Sequence, residues 1–198
     1  MNRTSPALAL ALASVVVLTG CAIPATSSDV QAPSTETGAR ITASPATGPL
    51  VTGDGFEFHL PAGWQEMDAA DVAAVAGGPS TALFAADMTD ADGFADNVNV
   101  VSTGAAVVDD TVEDQARAGL ESVGAEDIEV RPRIEIAGSA RTHLSATLTT
   151  GTVTYATEQY YLVEASRGYV VTFSFSPSVD EKMRSTIAES ALATWTWV

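Results

Sequence analysis

Cysteine and lysine are almost absent from this chain of 198 residues, which contains Cys21 and Lys182 as its single examples of each. A lone cysteine cannot form an intramolecular disulfide, so an exported domain of this chain would depend on its hydrophobic core for stability. Only 9 Lys and Arg residues stand against 25 Asp and Glu residues, for a net charge of −16. Such an acidic protein repels phosphate backbones, and we therefore expect no nucleic-acid partner.

The sequence also lacks the motifs of common catalytic sites. Its two histidines, His59 and His143, are isolated, so the helical His-Glu-x-x-His spacing of zinc enzymes does not occur. No Gly-x-Ser-x-Gly elbow is present, and the glycines of Gly53-Asp54-Gly55 precede a strand rather than joining a strand to a helix. We therefore expect no catalytic residues, no cofactor and no enzymatic activity.

What the N-terminus does contain is the tetrapeptide Leu18-Thr19-Gly20-Cys21, preceded by an apolar run and by Arg3. A positive residue, a short apolar segment and small residues before a cysteine are typical of a bacterial lipoprotein signal. The apolar run is shorter than the roughly 20 residues of a membrane-spanning helix. The pattern predicts cleavage between Gly20 and Cys21 and lipidation of Cys21 on the extracytoplasmic face of the cell membrane. The alternative is an ordinary signal peptide followed by a chance cysteine.

The composition divides the chain into three parts. Residues 1–20 are the predicted signal peptide, residues 21–53 an Ala-, Ser-, Thr- and Pro-rich disordered tether that starts at the lipidated cysteine, and residues 54–198 the folded domain. Cleavage would remove Arg3 and no acidic residue, which changes the net charge from −16 to −17. Because this charge repels anionic headgroups, we expect the lipid to anchor the protein to the membrane.

The first half of the domain shows alternating strand and helix signals. Phe56, Phe58 and Leu60 alternate with polar residues, and this strand is expected to end in the turn Pro61–Trp64. A short helix is predicted from Asp68 to Ala76. Strands are then predicted over 81–86 and 97–102, and a second helix is predicted to begin at Asp110 or Thr111 and to end at Gly124.

The second half of the domain is predicted to form an antiparallel meander followed by a helix. The predicted strands are 128–136, 141–150, 153–164 and 169–176, joined by short glycine-containing turns. Ser178 with Glu181 predicts a capping box for a C-terminal helix that buries Met183 and Ile187, and Trp195 and Trp197 are expected to seal the core. The order of elements predicts an α+β fold, an antiparallel sheet with helices packed on it in a layered sandwich.

This layout resembles the PsbP-like sandwich, a group that includes DcrB-type proteins and actinobacterial LpqN-type lipoproteins. The segment 56–64 resembles the opening strand and Pro-x-Gly-Trp turn of that group, and Asn97-Val98-Asn99-Val100 resembles its central strand. The stretch 137–140 before the meander resembles its hairpin region. The resemblance covers residues 54–198 and implies a non-catalytic accessory or binding domain at the membrane surface. It implies no particular ligand residues.

An acidic loop is the one candidate for a metal site. Asp87, Asp90, Asp92 and Asp96 supply carboxylate oxygens of the kind that Ca²⁺ prefers, and Asp90-x-Asp92-Gly93 matches the middle of an EF-hand loop. However, the first ligand position falls on Met88 and the twelfth on Asn99. We therefore expect a solvated loop, with a weak Ca²⁺ site as the alternative.

A polar face of the sheet is the candidate binding surface. Strand alternation places Glu57 and His59 on the polar side of the first strand, Arg141 and His143 on that of the second meander strand, and Glu158 on the third. These side chains could form a groove for a polar ligand, and the alternative is an ordinary solvated face.

The function expected from the sequence is therefore that of a lipid-anchored lipoprotein with a binding or accessory role in the cell envelope. Its partner would be an envelope protein or a small polar or apolar ligand. The carrier of a lipid or other apolar molecule is an alternative and would have an apolar cavity between sheet and helices. An unrecognised hydrolase is the other alternative and would place a histidine beside a serine and a buried carboxylate.

Overall fold

The structure is a computed structural model that describes residues 38–68, 81–90, 92–103, 109–164 and 167–198. The first half of the described chain contains β1 (Ala39–Arg40), β2 (Leu50–Gly53), β3 (Phe56–His59), β4 (Trp64–Glu66), β5 (Thr81–Asp87), β6 (Asn97–Ser102) and α1 (Asp109–Ser122). The second half contains β7 (Glu126–Ile136), β8 (Ser139–Thr150), β9 (Val153–Glu164), β10 (Arg167–Phe175), α2 (Glu181–Leu192) and β11 (Thr196–Trp197). No helix in these ranges is long and apolar enough to cross a membrane.

Two sheets form the framework. The main sheet has eight strands in the order β1-β7-β8-β9-β10-β6-β5-β4, and the small sheet has three in the order β11-β3-β2. Only the short β1 pairs in parallel; the other described pairs are antiparallel. The predicted meander is therefore confirmed, as β7 to β10 are neighbours in both sequence and space. Their turns are short enough to join antiparallel strands directly.

The main core lies between one face of the main sheet, the small sheet and α2. We call this side of the main sheet the core face. It contributes residues from β10, β9 and β6 that alternate with residues on the other side. Phe56 and Phe58 of the small sheet stack with Trp195, which is 3% exposed. The predicted burial of Trp195 is confirmed, and the α+β layered sandwich is the observed architecture.

The other side of the main sheet, which we call the second face, is partly covered by α1. Leu120 and Ala116 of this helix pack on Leu144 and Ala146 of β8, and all four side chains are buried. Polar side chains on this side of the central strands are also buried, and Thr172 and Ser174 of β10 are 2% and 0% exposed. The sheet is therefore buried on both sides at its centre.

The predicted tether extends too far into the chain. Its boundary was placed at Gly53, yet β1 pairs with β7 and β2 pairs with β3 in the structure. Val51 is 2% exposed and belongs to the main core. The Ala-, Thr- and Pro-rich composition gave no strand signal here, because each strand is short and contributes few large side chains. Predictions for residues 1–37, including the lipidation of Cys21, lie outside the described residues.

Three local predictions differ from the structure: the cap of the C-terminal helix, the burial of Met183 and the position of Trp64. The cap of α2 is Asp180, whose carboxylate accepts a hydrogen bond from the Met183 amide, rather than Ser178. Met183 is 51% exposed and Ile187 is half-buried against the core, whereas the buried residues of this helix are Ala188, Ala191 and Leu192. Trp64 was placed in a turn but begins β4 and is buried. Of the helix predicted from Asp68 to Ala76, every residue after Asp68 lies outside the described residues.

Candidate functional site

Glu158 of β9 is the centre of a buried ionic group on the core face. Its side chain is fully buried, and one carboxylate oxygen lies 2.8 Å from His143 Nε2. The other oxygen accepts a hydrogen bond from Arg184 Nε of α2 at 3.4 Å. Strand register explains the first contact because His143 is directly opposite Tyr160 and Glu158 is directly opposite Ser145. A buried carboxylate needs such partners, since desolvation without them is costly.

The same group includes an aromatic ring and a second carboxylate. The Tyr160 ring stacks on the His143 ring with centroids 4.2 Å apart. Burial, with the Glu158 and Glu189 charges adding to it, raises the pKa of the Tyr160 hydroxyl well above its usual value. Burial also raises the pKa of Glu189 on α2, an effect that His143 opposes. Ionic and aromatic side chains therefore lie together in the buried region between β8, β9 and α2.

A cleft of about 330 Å³ opens beside this buried group, at the end of the sheet where α2 begins. Arg131 of β7 and Arg184 of α2 supply its basic groups. Arg131 is bonded on one side to Glu129, at 2.9 Å, and on the other to Glu181. Further lining residues that carry hydroxyl or carboxylate groups are Asp127, Ser145, Thr147, Thr154 and Tyr155. The cleft is thus polar and of mixed charge.

The five residues of the predicted polar face do not form one groove. Of these, His143 and Glu158 are in contact, but they are buried on the core face rather than exposed to solvent. Glu57 and His59 belong to β3 in the small sheet. There the Glu57 carboxylate accepts from Thr196, and His59 Nδ1 lies 2.9 Å from the Gly48 carbonyl oxygen. Alternation identified which residues share one side of a strand, but it could not show which side is buried or that β3 lies in a different sheet.

Arg141 is also separated from the ionic group. Although it lies two residues from His143 on β8, its guanidinium donates to the Val163 carbonyl oxygen and stands 6.0 Å from the Trp197 ring centroid. Glu164 provides a more distant carboxylate at 3.9 Å. Arg141 therefore connects β8 and β9 of the main sheet to the C-terminal β11.

Arg131, Arg184 and Glu181 form the part of the cleft that the sequence did not reveal. They come from β7 and α2, which are separated by about fifty residues and meet only through packing. Glu181 and Arg184 lie in the first turn of α2, whereas Arg131 lies in the middle of β7, so no local pattern groups the three. Single charged residues on strands and helices are too common to single out a site.

The carboxylates of the acidic loop accept hydrogen bonds from nearby protein groups, most of them in the loop. Asp87 accepts hydrogen bonds from the amide and hydroxyl of Thr89, and Asp90 accepts from the Asp92 amide. Asp92 accepts from the Phe94 amide and from the Ser178 hydroxyl at 2.7 Å. Among the described residues, no three His, Cys, Asp or Glu side chains are grouped so that they could hold a metal ion. The loop oxygens are thus directed at protein donors rather than at a common centre.

Asp96 is the buried member of this loop. It is 7% exposed, and its carboxylate accepts a hydrogen bond from the Ser176 amide at 2.8 Å. Burial raises the pKa of Asp96 to about 6, the Ser176 hydrogen bond opposes this, and the nearby charges of Asp90, Asp92 and Asp87 add to the increase. By contrast, hydrogen bonds from Ser176 and Ser178 lower the pKa of Asp92. The two carboxylates therefore differ in the pH at which they ionise.

Comparison with solved structures defines the class of fold. CyanoP, the cyanobacterial PsbP of Synechocystis sp. PCC 6803, is 16% identical with a TM-score of 0.52, and the match covers 73% of this chain and 88% of that protein. This likeness shows the fold alone. The chain therefore has a PsbP-like α+β fold, as the resemblance in the sequence implied.

Two further structures match with TM-scores of 0.49. One is LpqN of Mycobacterium tuberculosis, described as involved in cell envelope biogenesis, at 9% identity over 82% of this chain and 90% of that protein. The other is a Bacteroides thetaiotaomicron VPI-5482 protein at 12% identity over 75% of this chain, and the match spans 47% of that protein's length. No protein-family model matches the sequence, and no curated protein matches it at a significant level.

Proposed function

We propose that this protein is a lipid-anchored lipoprotein of the extracytoplasmic membrane face, and that its domain binds an envelope partner without catalysing a reaction. The anchor rests on the sequence Leu18-Thr19-Gly20-Cys21 after a short apolar run. The binding role rests on one structural observation, the polar cleft between the end of the main sheet and the start of α2. Placed polar and charged groups in a concave site fix the orientation of a partner and give specificity, and this cleft supplies several such groups.

The cleft favours a polar partner over an apolar cargo. The carrier alternative requires an enclosed apolar cavity, whereas this cleft is lined by side chains of both charges, including Arg131, Arg184 and Glu181. Because Arg131 is held between two carboxylates, its position is fixed before a partner arrives. Fixed charges give specificity because a mismatched partner would leave them unpaired.

The hydrolase alternative has only part of its required geometry. His143 faces the buried carboxylate of Glu158. Within the described ranges, however, neither histidine is hydrogen-bonded to a serine: His143 bonds Glu158, and His59 bonds Gly48 and Thr194 through its side chain and amide. A serine nucleophile needs its base within hydrogen-bond reach. Recognition therefore has the stronger support.

Metabolic labelling with an alkynyl fatty acid tests the anchor. We expect wild-type protein to carry the label and to fractionate with the membrane, and the Cys21→Ser variant to lose both properties. An Ala22→Ser variant is the matched control because it changes the neighbouring residue and keeps the thiol. Unlabelled wild-type protein, or label that persists in Cys21→Ser, would exclude lipidation at this residue.

Crosslinking in intact cells tests the binding role. The full-length protein is crosslinked, extracted in detergent and analysed by mass spectrometry, with Cys21→Ser as the unanchored control. A specific envelope partner should be recovered with wild-type protein and reduced several-fold in Arg131→Gln. It should be retained in Arg40→Gln, whose side chain is 89% exposed on the edge strand β1. Equal recovery with both arginine variants would remove the cleft from the proposal, and co-purified lipid without a protein would favour the carrier.

A further inference from the structure

The cleft beside the start of α2 lies between three strands of the main sheet and a helix. Strands β7, β8 and β9 line one side, and Pro177 and the first turn of α2 line the other. Arg131 of β7 joins the two sides, because its guanidinium is bonded to Glu181 of α2 and to Glu129 of its own strand. A volume of about 330 Å³ is at the small end of the range of ligand pockets, so the cleft suits one side chain rather than a large ligand.

Carboxylate groups outnumber the guanidinium groups of the cleft. The charged residues that line it are Asp127, Glu129 and Glu181 on the acidic side and Arg131 and Arg184 on the basic side. The charge of Arg184 is already matched by the fully buried Glu158, whose carboxylate lies 3.4 Å from its Nε. The three carboxylates then share the single guanidinium of Arg131, which leaves an excess of two negative charges. Such a site repels an anion and attracts a cation.

The pKa of Arg131 agrees with a negative potential in the cleft. Burial lowers this pKa, but hydrogen bonds to Glu181 and Glu129 and the charges of Glu181 and Glu158 together raise it above its usual value. The cationic form is therefore stabilised at this position. Over longer distances, the net charge of −16 of the whole chain also attracts cations.

We propose that the cleft binds the cationic side chain of a lysine or arginine carried by the envelope partner, an inference that rests on the proposed function. Besides the carboxylates, Ser145, Thr147 and Thr154 provide hydroxyl oxygens that accept hydrogen bonds from an ammonium or guanidinium group. Ala156 and Pro177 provide apolar surface for the methylene groups of such a side chain. A metal ion is a poorer occupant, because no three His, Cys, Asp or Glu side chains of the described chain are grouped to hold one.

Nuclear magnetic resonance titration of the full-length protein in detergent tests this site. The probes are blocked Gly-Xaa-Gly tripeptides in which Xaa is lysine, arginine, norleucine or glutamate, together with putrescine and calcium chloride. We expect the lysine and arginine peptides to shift the backbone amide resonances of Ser145 and Thr147 saturably, and to bind more weakly as the salt concentration rises. Norleucine has an apolar stem like that of lysine but no charge, so its peptide and the glutamate peptide should leave these resonances unchanged.

Asp127→Asn is the test variant, and Glu126→Gln is its matched control. Both changes remove one negative charge from neighbouring, exposed positions of β7, but Asp127 lines the cleft whereas Glu126 does not. Asparagine also tolerates the φ angle of 51° at Asp127, so the variant should fold. We expect the dissociation constant of the lysine peptide to rise about threefold in Asp127→Asn, as the loss of one exposed ion pair implies, and to stay at the wild-type value in Glu126→Gln.

The proposal is overturned if neither cationic peptide shifts these resonances, if the norleucine or glutamate peptide does so equally, or if the two variants weaken binding equally. Shifts caused by putrescine or calcium at lower concentrations than by the peptides would also overturn it, because the occupant would then be a free amine or a metal ion. The proposed function is tested separately: a crosslinked envelope partner that depends on Arg131 would keep that function even if no cationic peptide binds. Peptide binding without any crosslinked partner would instead support recognition of a cationic side chain and remove the envelope role.

Discussion

The Tyr160 ring lies parallel to the His143 ring, with an interplanar angle of 17°, and its buried hydroxyl has no hydrogen-bond partner. Tyr169, another buried tyrosine of the core face, instead donates its hydroxyl hydrogen to the Asp54 carbonyl oxygen. The two hydroxyl groups should therefore contribute to stability with opposite signs. A buried hydroxyl costs desolvation, and only a hydrogen bond offsets that cost.

Tyr160→Phe is expected to leave the free energy of unfolding unchanged or to raise it by up to about 1 kcal/mol, because the stacked ring is kept and an unpaired group is removed. Tyr169→Phe is the matched control and should lower it by about 1 kcal/mol. Urea unfolding of the two variants against wild type measures both effects. A loss of stability in Tyr160→Phe similar to that in Tyr169→Phe would show that the Tyr160 hydroxyl has a partner.

Glu158→Gln should destabilise the protein by about 3 kcal/mol. The variant leaves His143 and Arg184 facing a neutral amide in a buried site, and removal of one partner from a buried ion pair is costly. Glu164→Gln on the same strand is the control, since this side chain is 54% exposed and its contact with Arg141 is 3.9 Å long. That change should cost less than about 0.5 kcal/mol. Chemical denaturation measures both, and equal small losses would contradict a structural role for the buried carboxylate.

Asp96→Asn should stabilise the protein in a pH-dependent way. Burial raises the folded-state pKa of Asp96 to about 6. Because this is above the unfolded value, the unfolded chain loses the proton first, and ionisation reduces stability as the pH rises from about 4 through 6. Asparagine retains an acceptor for the Ser176 amide without the charge.

The Asp96→Asn variant should therefore match wild type near pH 4 and exceed its free energy of unfolding by about 2–3 kcal/mol near pH 7.5. Denaturant unfolding across this pH range provides the measurement. Asp54→Asn, at an exposed turn, should change stability by less than about 0.5 kcal/mol at either pH. A constant difference between Asp96→Asn and wild type at all pH values would show that Asp96 does not titrate in this range.

Ala137→Asn should increase stability by about 0.5–1 kcal/mol. Ala137 and Gly138 form the turn between β7 and β8, with φ angles of 49° and 79°. An alanine in this left-handed region is strained, whereas asparagine tolerates it and Asn-Gly favours such two-residue turns. Ala62→Asn is the control, because Ala62 lies in an exposed turn and is not among the described residues with positive φ. Differential scanning calorimetry should show a higher Tm only for Ala137→Asn.

The cap of α2 provides a direct comparison of the sequence prediction with the structure. Asp180→Ala should cost about 1 kcal/mol, because the Met183 amide loses its acceptor at the helix N-terminus. Asp54→Ala, which removes an exposed aspartate outside any helix, should cost less than half as much. Thermal unfolding measured in parallel would decide whether Asp180 caps the helix. Equal small effects of the two changes would contradict the cap.

The strands of the meander could be predicted because their signal is local. Val153–Glu164 and Asn97–Ser102 have the predicted bounds, and the turns before and after β8 contain the expected Gly138 and Gly151. Side-chain alternation is set within each strand, so the burial of Phe56 and Phe58 could also be inferred. By contrast, β1 and β2 have weak local signals and become strands through pairing with β7 and β3.

The candidate sites depended on relationships that alternation does not contain. The sequence placed His143 and Glu158 on one side of neighbouring strands, and they are in contact. It also grouped them with His59, which the fold assigns to a different sheet. Arg184 joins them from a helix packed over the sheet. Which side of a strand is buried depends on the helices and sheets that pack against it.

The sequence by itself determined the α+β class and the meander, because both follow from the pattern of neighbouring residues; the lipidation of Cys21 stays a prediction from the same kind of pattern. Only the tertiary structure decided that polar side chains on both faces of the sheet are buried. On the core face α2 supplies Arg184 to Glu158, so the charge is paired. On the second face Asn99 is enclosed without a partner. Burial and pairing are set by packing between distant segments, and the linear order of residues does not specify them.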